Sequence, residues 1–334
     1  MKRIFLFCFL FSGVLAKAQD VTRKQVLQTI AIGSCNRQEA PQPMWPLIAN
    51  QNPDLWIWLG DNIYGDTNDM QVMKEKYDMQ KSNPGYQALM AQTDIIGIWD
   101  DHDFGVNDGG KEYPKREESK ALMFDFLDIP ENHPARQREA AYQSYLYGEG
   151  NQRVKIILLD ARYHRDELVR ENRRYQKNWE GKLLSEEQWQ WLEKELAANE
   201  ADIHIIASGI QFIATEHPYE KWDNFPKERQ RMLDLIVQTQ AKNVLMLSGD
   251  RHISELASYH VPGYGMIYDF TSSGMTHSYS SSTEYNSYRM SKLITDKSFG
   301  LIQLLWEKEQ VKLVMEMRSE TNEVQDRAEV TFQK

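Results

Sequence analysis

The sequence predicts an α/β fold in which two β-sheets pack together and helices cover the outside. Apolar, β-branched runs of strand length recur along the chain, and helical patterns separate the earlier runs. Several runs are almost continuously apolar, which is typical of strands covered on both faces. The last third of the chain changes to runs joined by short turns. Helix-separated strands followed by a strand-rich end favour a sandwich of two sheets with helices outside.

The strands are predicted in two groups. The early group has helical patterns between its members, at 27–34, 55–59, 94–99, 154–159, 203–208 and 243–248. In the late group, short turns such as the Pro- and Gly-containing segment 261–265 replace the helices. The late strands are predicted at 254–261, 266–272, 299–306 and 310–317.

The clearest helix is predicted at 185–199. Ser185 is a suitable N-terminal cap, and Trp189, Leu192 and Leu196 fall on one face at three- and four-residue spacing. That apolar face would cover one of the sheets. Further helices are predicted at 226–240, 69–80 and 115–127.

Residues 1–18 have the pattern of a signal peptide. Two cationic residues precede an apolar run at 4–15, and a small-residue cleavage pattern ends at Ala18. The apolar run has about 12 residues, whereas a membrane span needs about 20. We therefore expect cleavage after Ala18, export to the periplasm or beyond, and no transmembrane anchor in the mature protein. Residues 19–334 are predicted to form one domain.

Charge and cysteine content narrow the classes of function. The net charge is −10, and loss of Lys2, Arg3 and Lys17 with the leader changes it to −13. This argues against binding to a nucleic-acid backbone, which requires clustered cations. One of the two cysteines, Cys8, lies in the predicted leader, so the exported chain keeps Cys35 alone. In an oxidising compartment, a lone thiol is well explained as a metal ligand.

Ligating side chains follow several of the predicted strands. Ligands in open α/β folds gather at the carboxyl ends of the strands. Any single aspartate there is ordinarily a turn or helix-capping residue. A group of thiolates and carboxylates, however, would repel one another unless a cation lay between them, so the set predicts a metal site. The residues in this position are Cys35, Asp61, Asp101, Asp160 and Asp250.

The loop after the second strand carries Asp61 and Tyr64. Asp61 is a candidate to bridge two metal ions, and Tyr64 is a candidate phenolate ligand for a strongly acidic ion such as ferric iron. The alternative for Tyr64 is a packed aromatic ring with one hydrogen bond.

The acidic run after the third strand is too dense in oxygen ligands for every residue to bind a metal. We assign Asp101 and the amide oxygen of Asn107 to metal binding, and His102 to a substrate oxygen. Asp100 or Asp103 is expected to orient His102. The alternative is a calcium-binding or merely solvated acidic loop.

Asp250 and His252 form another candidate ligand pair. They are two residues apart, so on an extended backbone both side chains would face one metal. His252 as an ordinary surface histidine is the alternative. His277 lies in the Ser- and Tyr-rich segment 276–290, which is the predicted lid and is expected to line the site, so His277 is a candidate for substrate binding.

Arg162 and Arg165 follow the strand at 154–159. Their guanidinium groups match phosphate oxygens in geometry, so both are candidates for substrate binding, and Arg162 for catalysis. The alternative is that Arg162 pairs with Asp160 and braces the loop.

The motifs together resemble those of the alkaline phosphatase D (PhoD-like) branch of the metallophosphoesterases. The segments that carry this resemblance are GSCN, LGDNIYGD, WDDHDFGVND, LLDARYHRD, LSGDRH and DFTSSGMTHS. Each motif alone is weak evidence, but their ordered combination is specific. The resemblance implies a four-layer αββα sandwich with two mixed β-sheets, the metallophosphoesterase fold.

The resemblance also implies two or more metal ions, with ferric iron and calcium as in the best-known members. His252 departs from the spacing of the calcium-bearing members, which favours another divalent transition metal. By resemblance the iron ligands are Cys35, Asp61, Tyr64 and Asp250. By resemblance the calcium ligands are Asp61, Asn107 and Asp250 or a neighbour.

The leading hypothesis is an exported phosphatase or phosphodiesterase that acts on small phosphate esters. A metal-activated hydroxide would attack phosphorus in line, and His102 or His252 would assist the leaving group. One alternative is a thiol hydrolase with Cys35 as nucleophile and His252 as base. The other is a non-catalytic exported module that binds metal or glycan. The motifs leave monoester or diester preference and oligomeric state open.

Overall fold

A computed structural model describes residues 21–334. The predicted signal peptide lies outside the described residues. The strands are β1 (Val21–Arg23), β2 (Thr29–Gly33), β3 (Leu55–Leu59), β4 (Asp94–Ile98), β5 (Gln143–Tyr147), β6 (Val154–Leu158), β7 (Arg170–Glu171), β8 (Arg174–Tyr175), β9 (Ile203–Ala207), β10 (Val244–Ser248), β11 (Ser254–Val261), β12 (Gly265–Ser272), β13 (Ser298–Trp306), β14 (Gln310–Ser319) and β15 (Val324–Gln333). The α-helices are α1 (Met44–Ala49), α2 (Met70–Lys81), α3 (Pro84–Met90), α4 (Asp101–Phe104), α5 (Arg116–Phe126), α6 (Glu186–Ala197) and α7 (Pro226–Thr239).

Two large mixed sheets form the centre of the molecule. The first has the strand order β15-β14-β13-β2-β3-β4, with β2, β3 and β4 parallel and the late strands antiparallel. The second has the order β1-β5-β6-β9-β10-β12-β11, with β6, β9, β10 and β12 parallel. Strands β7 and β8 form a separate two-stranded hairpin. The α/β prediction with two mixed sheets is confirmed.

Side chains of the second sheet alternate between two cores. In β10, Leu245 and Leu247 belong to the large core that also contains the first sheet. Met246, between them, instead packs with Trp189 of α6 and Met232 of α7. Fully burying one such side chain contributes about 1.5–3 kcal/mol. Alternation therefore places one face of this sheet against its partner and the other under helices, as a layered sandwich requires.

Each predicted strand and helix has a counterpart in the structure. The clearest helix, α6, begins where its cap predicts, because the hydroxyl of Ser185 accepts a hydrogen bond from the backbone N–H of Gln188 at 3.1 Å. Helix α2 begins directly after Asp69, whose carboxylate accepts from the backbone of Gln71 at 2.9 Å. Capping side chains thus fix both helix starts.

Five strands were not predicted: the short strands β1, β7 and β8, and the longer strands β5 and β15. Strand β5 has buried polar residues, and Gln143 accepts a 2.7 Å hydrogen bond from the hydroxyl of Tyr145, so polarity there does not mean exposure. Strand β15 lies at the edge of its sheet and carries charged residues on its exposed face. Its apolar alternation at Ala328, Val330 and Phe332 was the available signal. The short helices α1, α3 and α4 were also missed.

The two sheets meet closely at the carboxyl ends of their parallel strands. A Cβ atom at Gly249 would lie 2.4 Å from the carbonyl oxygen of Leu59 and 2.7 Å from the hydroxyl of Ser34. Glycine is therefore required after β10. In the same region the backbone N–H of Asn36 donates to the carbonyl of Asp61 at 2.9 Å. These contacts bring the loops after β2, β3 and β10 to one place.

Candidate metal centre

Four predicted ligands have left-handed backbone conformations. The φ angles are 57° at Cys35, 49° at Asp61, 63° at Asp250 and 52° at His252. Side chains with a Cβ rarely adopt this region, which costs on the order of 1–3 kcal/mol per residue and is typical of functional sites. The prediction of an extended backbone between Asp250 and His252 is therefore wrong. Sharp turns, rather than strand alternation, direct these side chains.

One donor group combines sulfur, oxygen and nitrogen. Ligand atoms of Cys35, Asp61 and His252 all lie within 4.8 Å of one another. The Cys35 Sγ lies 3.2 Å from Asp61 Oδ2, and the Tyr64 hydroxyl lies 3.2 Å from His252 Nε2. Within residues 21–334, the buried Nδ1 of His252 has no hydrogen-bond partner. This arrangement offers the mixed ligands that transition metals bind.

Two further donor groups consist mainly of carboxylates. Asp61, Asp101 and His102 form one, with ligand atoms within 4.8 Å of one another. Asp100, Asp101 and Asp250 form the other, and their ligand atoms also lie within 4.8 Å of one another. Asp61 and Asp101 each belong to two groups, so the three groups form a continuous set. Oxygen-rich sites of this kind suit hard cations such as calcium.

The buried anionic groups destabilise one another. Burial raises the pKa of Asp61 well above its usual value, and the charges of Cys35 and Asp101 raise it further. Burial likewise raises the pKa of Asp250 well above its usual value and that of the Cys35 thiol to about 11. Cations among these atoms would reverse the direction of the shifts. The donor set therefore fits a centre with more than one metal ion.

His102 is oriented by Asp66, not by Asp100 or Asp103. Its Nδ1 lies 2.7 Å from Asp66 Oδ1. Asp103 instead accepts from the backbone N–H of Asp61 at 3.1 Å, and the Asp100 carboxylate pairs with a guanidinium. The prediction that Asp100 or Asp103 orients His102 is thus wrong, because both carboxylates bind other partners. Asp66 stands in the LGDNIYGD segment, which was the available signal.

Arg162 and Arg165 are buried and share one carboxylate. Arg162 Nη1 lies 2.5 Å from Glu220 Oε2, and Arg165 Nε lies 2.9 Å from Glu220 Oε1. Arg162 Nε also contacts Asp100 at 2.6 Å. The guanidinium of Arg162 does not pair with Asp160, whose carboxylate accepts instead from the backbone N–H of Arg162 at 2.9 Å and from the indole N–H of Trp99 at 2.9 Å. The two arginines thus form buried ion pairs with acidic residues next to the site, and their substrate-binding role stays a prediction.

A cavity of about 200 Å³ opens beside the donor groups. It contains the exposed Arg170 of the β7–β8 hairpin, a cation that the sequence analysis missed. Asn107 is at its wall, with its amide nitrogen 2.7 Å from Asp108 Oδ2. His277, which was expected to line the site, is not among the residues that line the cavity, although its ring centroid is 4.3 Å from that of His252. The residues lining the cavity are Asp101, His102, Asn107, Asp108, Arg170, Tyr219, Glu220, Asp250, Arg251, His252 and Tyr279.

A larger surface cleft lies elsewhere. Its volume is about 510 Å³, and it is lined by residues such as Gln28 and Trp306. It contains none of the donor groups, so the smaller cavity is the candidate site.

Among residues 21–334, no helix is both long enough and apolar enough to cross a membrane.

The chain is similar to phosphatases of known structure. It is 23% identical over 277 residues to alkaline phosphatase D of Bacillus subtilis (strain 168), covering 70% of this chain and 47% of that protein. The chain thus spans about half the length of this curated relative. The solved structure of PhoD superposes with a TM-score of 0.73 at 19% identity, covering 92% of this chain and 69% of that one.

A second solved structure shares the fold at lower similarity. The purple acid phosphatase PPD1 from yellow lupin (Lupinus luteus) seeds has a TM-score of 0.59 at 12% identity, covering 92% of this chain and 54% of that one. These two structural neighbours identify the fold as that of the metallophosphoesterases. The model of the PhoD-like phosphatase family matches residues 30–318, which is most of the chain. This protein therefore belongs to the PhoD-like phosphatase family.

Proposed function

We propose that this protein is an exported, metal-dependent hydrolase of small phosphate esters. The observation that carries the proposal is the convergence of ligand atoms from Cys35, Asp61, Asp101, Asp250 and His252, which follow four different strands. The family supports the reaction class, since alkaline phosphatase D is a relative. Export rests on the leader pattern at residues 1–18.

The donor chemistry supports two different kinds of cation. Cys35, Asp61, Tyr64 and His252 would hold ferric iron or another transition metal, because they offer thiolate, phenolate and imidazole ligands. A set of oxygen ligands would hold calcium or a similar hard cation, with Asp61 shared between the ions. The ligands proposed for this cation are Asp61, Asp101, Asn107 and Asp250.

The bound cations would polarise the phosphoryl oxygens and acidify a water molecule. In the overall reaction, water adds to phosphorus, the ester P–O bond breaks, and the departing alkoxide takes up a proton. Arg170, in the cavity wall, is positioned to bind a phosphoryl oxygen. We assign the proton to Nε2 of His102, whose Nδ1 is held by Asp66.

The two candidate histidines differ in protonation. Burial lowers the pKa of His252 to about 3, so its imidazole is neutral and suits a metal ligand. Burial also opposes protonation of His102, but the charge of Asp101 and the hydrogen bond to Asp66 outweigh it and raise its pKa. His102 is therefore the better proton donor, and His252 the better ligand.

Replacing Asp66 with Asn should move the alkaline side of the pH–rate profile toward lower pH. A general acid must be protonated, so activity falls as pH rises through its pKa. Loss of the Asp66 charge and of its charge-assisted hydrogen bond destabilises the imidazolium and lowers that pKa. The measurement is kcat against pH for both proteins. An unshifted alkaline limb would remove His102 from this role.

The function is tested with chromogenic monoesters and diesters of p-nitrophenol. Metal-replete protein should hydrolyse at least one class, and removal of the metals should lower kcat by about 10³-fold or more, restored by adding them back. Undiminished turnover in metal-free protein would refute the proposal. Turnover that iodoacetamide abolishes, but metal removal does not, would support the thiol hydrolase instead. That alternative is disfavoured because Cys35 is fully buried and its thiol pKa is raised to about 11.

A further inference from the structure

Two tyrosine rings join the candidate active-site cavity to a second groove. Tyr219 and Tyr279 line the cavity of about 200 Å³ and also a neighbouring groove of about 410 Å³. The two spaces therefore adjoin at these side chains. Tyr219 is 36% exposed and Tyr279 is 45% exposed, so both rings are open to a ligand. The groove continues along Pro218, Ser281, Ser282, Thr283 and Glu284.

Both rings are fixed in place by residues of the metal-site loop. The ring of Tyr279 stacks on that of His252, with centroids 4.6 Å apart and planes inclined by 26°. The backbone N–H of Tyr279 also donates to the carbonyl of His252 at 3.0 Å. The guanidinium carbon of Arg251 lies 4.1 Å from the ring centroid of Tyr219. The rings are thus anchored to the two residues that follow Asp250, so their distance from the metal site is set.

The two rings also face similar directions. Their centroids are 6.5 Å apart and their planes are inclined by 26°. Near-parallel, partly exposed rings offer open faces on which a planar group can stack, and aromatic stacking tolerates different ring systems. Hydroxyl groups of Ser281, Ser282 and Thr283 run along the groove and can hydrogen-bond a polar group attached to the ring.

We propose that Tyr219 and Tyr279 form a binding subsite for a planar aromatic ring in the organic part of the phosphate ester, as in nucleoside phosphates. The phosphoryl group would lie in the cavity and the ring on the two tyrosines. This inference rests on the proposed hydrolase function, because it names the substrate class for the same site. It predicts that an aromatic base strengthens both binding and turnover.

The test uses substrates that differ only in the base. Adenosine 5′-monophosphate and ribose 5-phosphate have the same primary-alcohol leaving group, and their methyl esters form a matched diester pair. For the pair that is hydrolysed, kcat/KM should be about 5- to 150-fold higher for the adenosine compound. Calorimetric Kd values of the metal-loaded protein should show the same preference. Equal kcat/KM and equal Kd within twofold would overturn the inference.

Variants separate stacking from a structural role. In Tyr219→Ala and Tyr279→Ala, the ratio of adenosine to ribose compounds should fall by about fivefold or more, the loss of one stacking contact. Tyr219→Phe and Tyr279→Phe keep the rings and should keep the ratio. Tyr285→Ala is the control, because Tyr285 is 70% exposed and lies outside the residues that line the groove. A ratio that survives in both alanine variants would refute the subsite.

The two proposals fail in different ways. If no phosphate ester is hydrolysed, the hydrolase function is refuted, and the Kd comparison still decides whether the tyrosines bind the base. If both members of a pair are hydrolysed at the same rate and bind equally, the function stands and the aromatic subsite is refuted.

Discussion

Replacing Asp61 with Asn should lower kcat by about 10³-fold or more while the chain stays folded, because the lost metal interactions contribute several kcal/mol to transition-state stabilisation. Asp61 belongs to two of the donor groups and is 1% exposed. The amide keeps the volume of the side chain, and its oxygen can still accept from the backbone N–H of His102, a 3.3 Å contact in the parent.

The same substitution should not destabilise the metal-free protein. Burial and the nearby charges of Cys35 and Asp101 disfavour the Asp61 carboxylate in the folded state. The neutral amide in Asp61→Asn should therefore give an equal or higher unfolding midpoint in the absence of metal. The parent carboxylate thus favours function at the expense of stability. Metal content, kcat and thermal unfolding are measured together.

A surface substitution provides the control for Asp61. Asp78→Asn changes the same functional group at an exposed position, where Asp78 pairs with Lys74 at 2.6 Å. Its kcat and metal content should stay within about twofold of the parent values, since exposed ion pairs contribute at most about 1 kcal/mol and this one is remote from the site. An active, metal-replete Asp61→Asn protein would contradict the assignment of Asp61.

Replacing Glu220 with Ala should lower the free energy of unfolding by about 3–5 kcal/mol. Glu220 is 1% exposed, accepts a hydrogen bond from Arg162 and forms an ion pair with Arg165. Truncation leaves two buried guanidinium groups without this counter-charge, which costs more than the pairing itself contributes. Urea unfolding of metal-free protein measures the change, so that altered metal binding does not enter the result.

Glu186→Ala is the matched control for Glu220. Glu186 also pairs with an arginine, Arg231, through two contacts of 2.7 and 2.8 Å, but both side chains are exposed. Its removal should cost about 0–1 kcal/mol, because water solvates the remaining charge. Equal losses of unfolding free energy from the two substitutions would show that the buried ion pairs of Glu220 stabilise the fold no more than an exposed pair does.

The strand ends were predictable because two simple rules apply to them. Apolar runs located the parallel strands, and ligands gather where such strands end. The convergence of Cys35, Asp61, Asp101 and Asp250 at one edge was therefore predictable from the sequence. Their conformations were not, because the left-handed turns at Asp250 and His252 depend on the close approach of the two sheets.

Residues on long connections were harder to assign. Arg162 and Arg165 were predicted to bind phosphate, but the sequence does not show that Glu220, more than fifty residues later, pairs with both. Arg170 and Tyr219 gave no signal at all, because only the folded loops place them at the cavity. Charge type was thus readable from the sequence, whereas burial and pairing required the tertiary structure.

Anomalous X-ray scattering from crystals of the metal-replete protein, recorded on both sides of the iron absorption edge, tests the metal centre most directly. We predict one transition-metal peak within about 2.0–2.5 Å of the Cys35 sulfur and the Tyr64 hydroxyl. A second peak should lie within about 2.3–2.6 Å of Asp101 and Asp250 oxygens if that cation is calcium, with Asp61 between the two. Metal ions bound away from Asp61, or crystals of active protein with no metal at these side chains, would contradict the account.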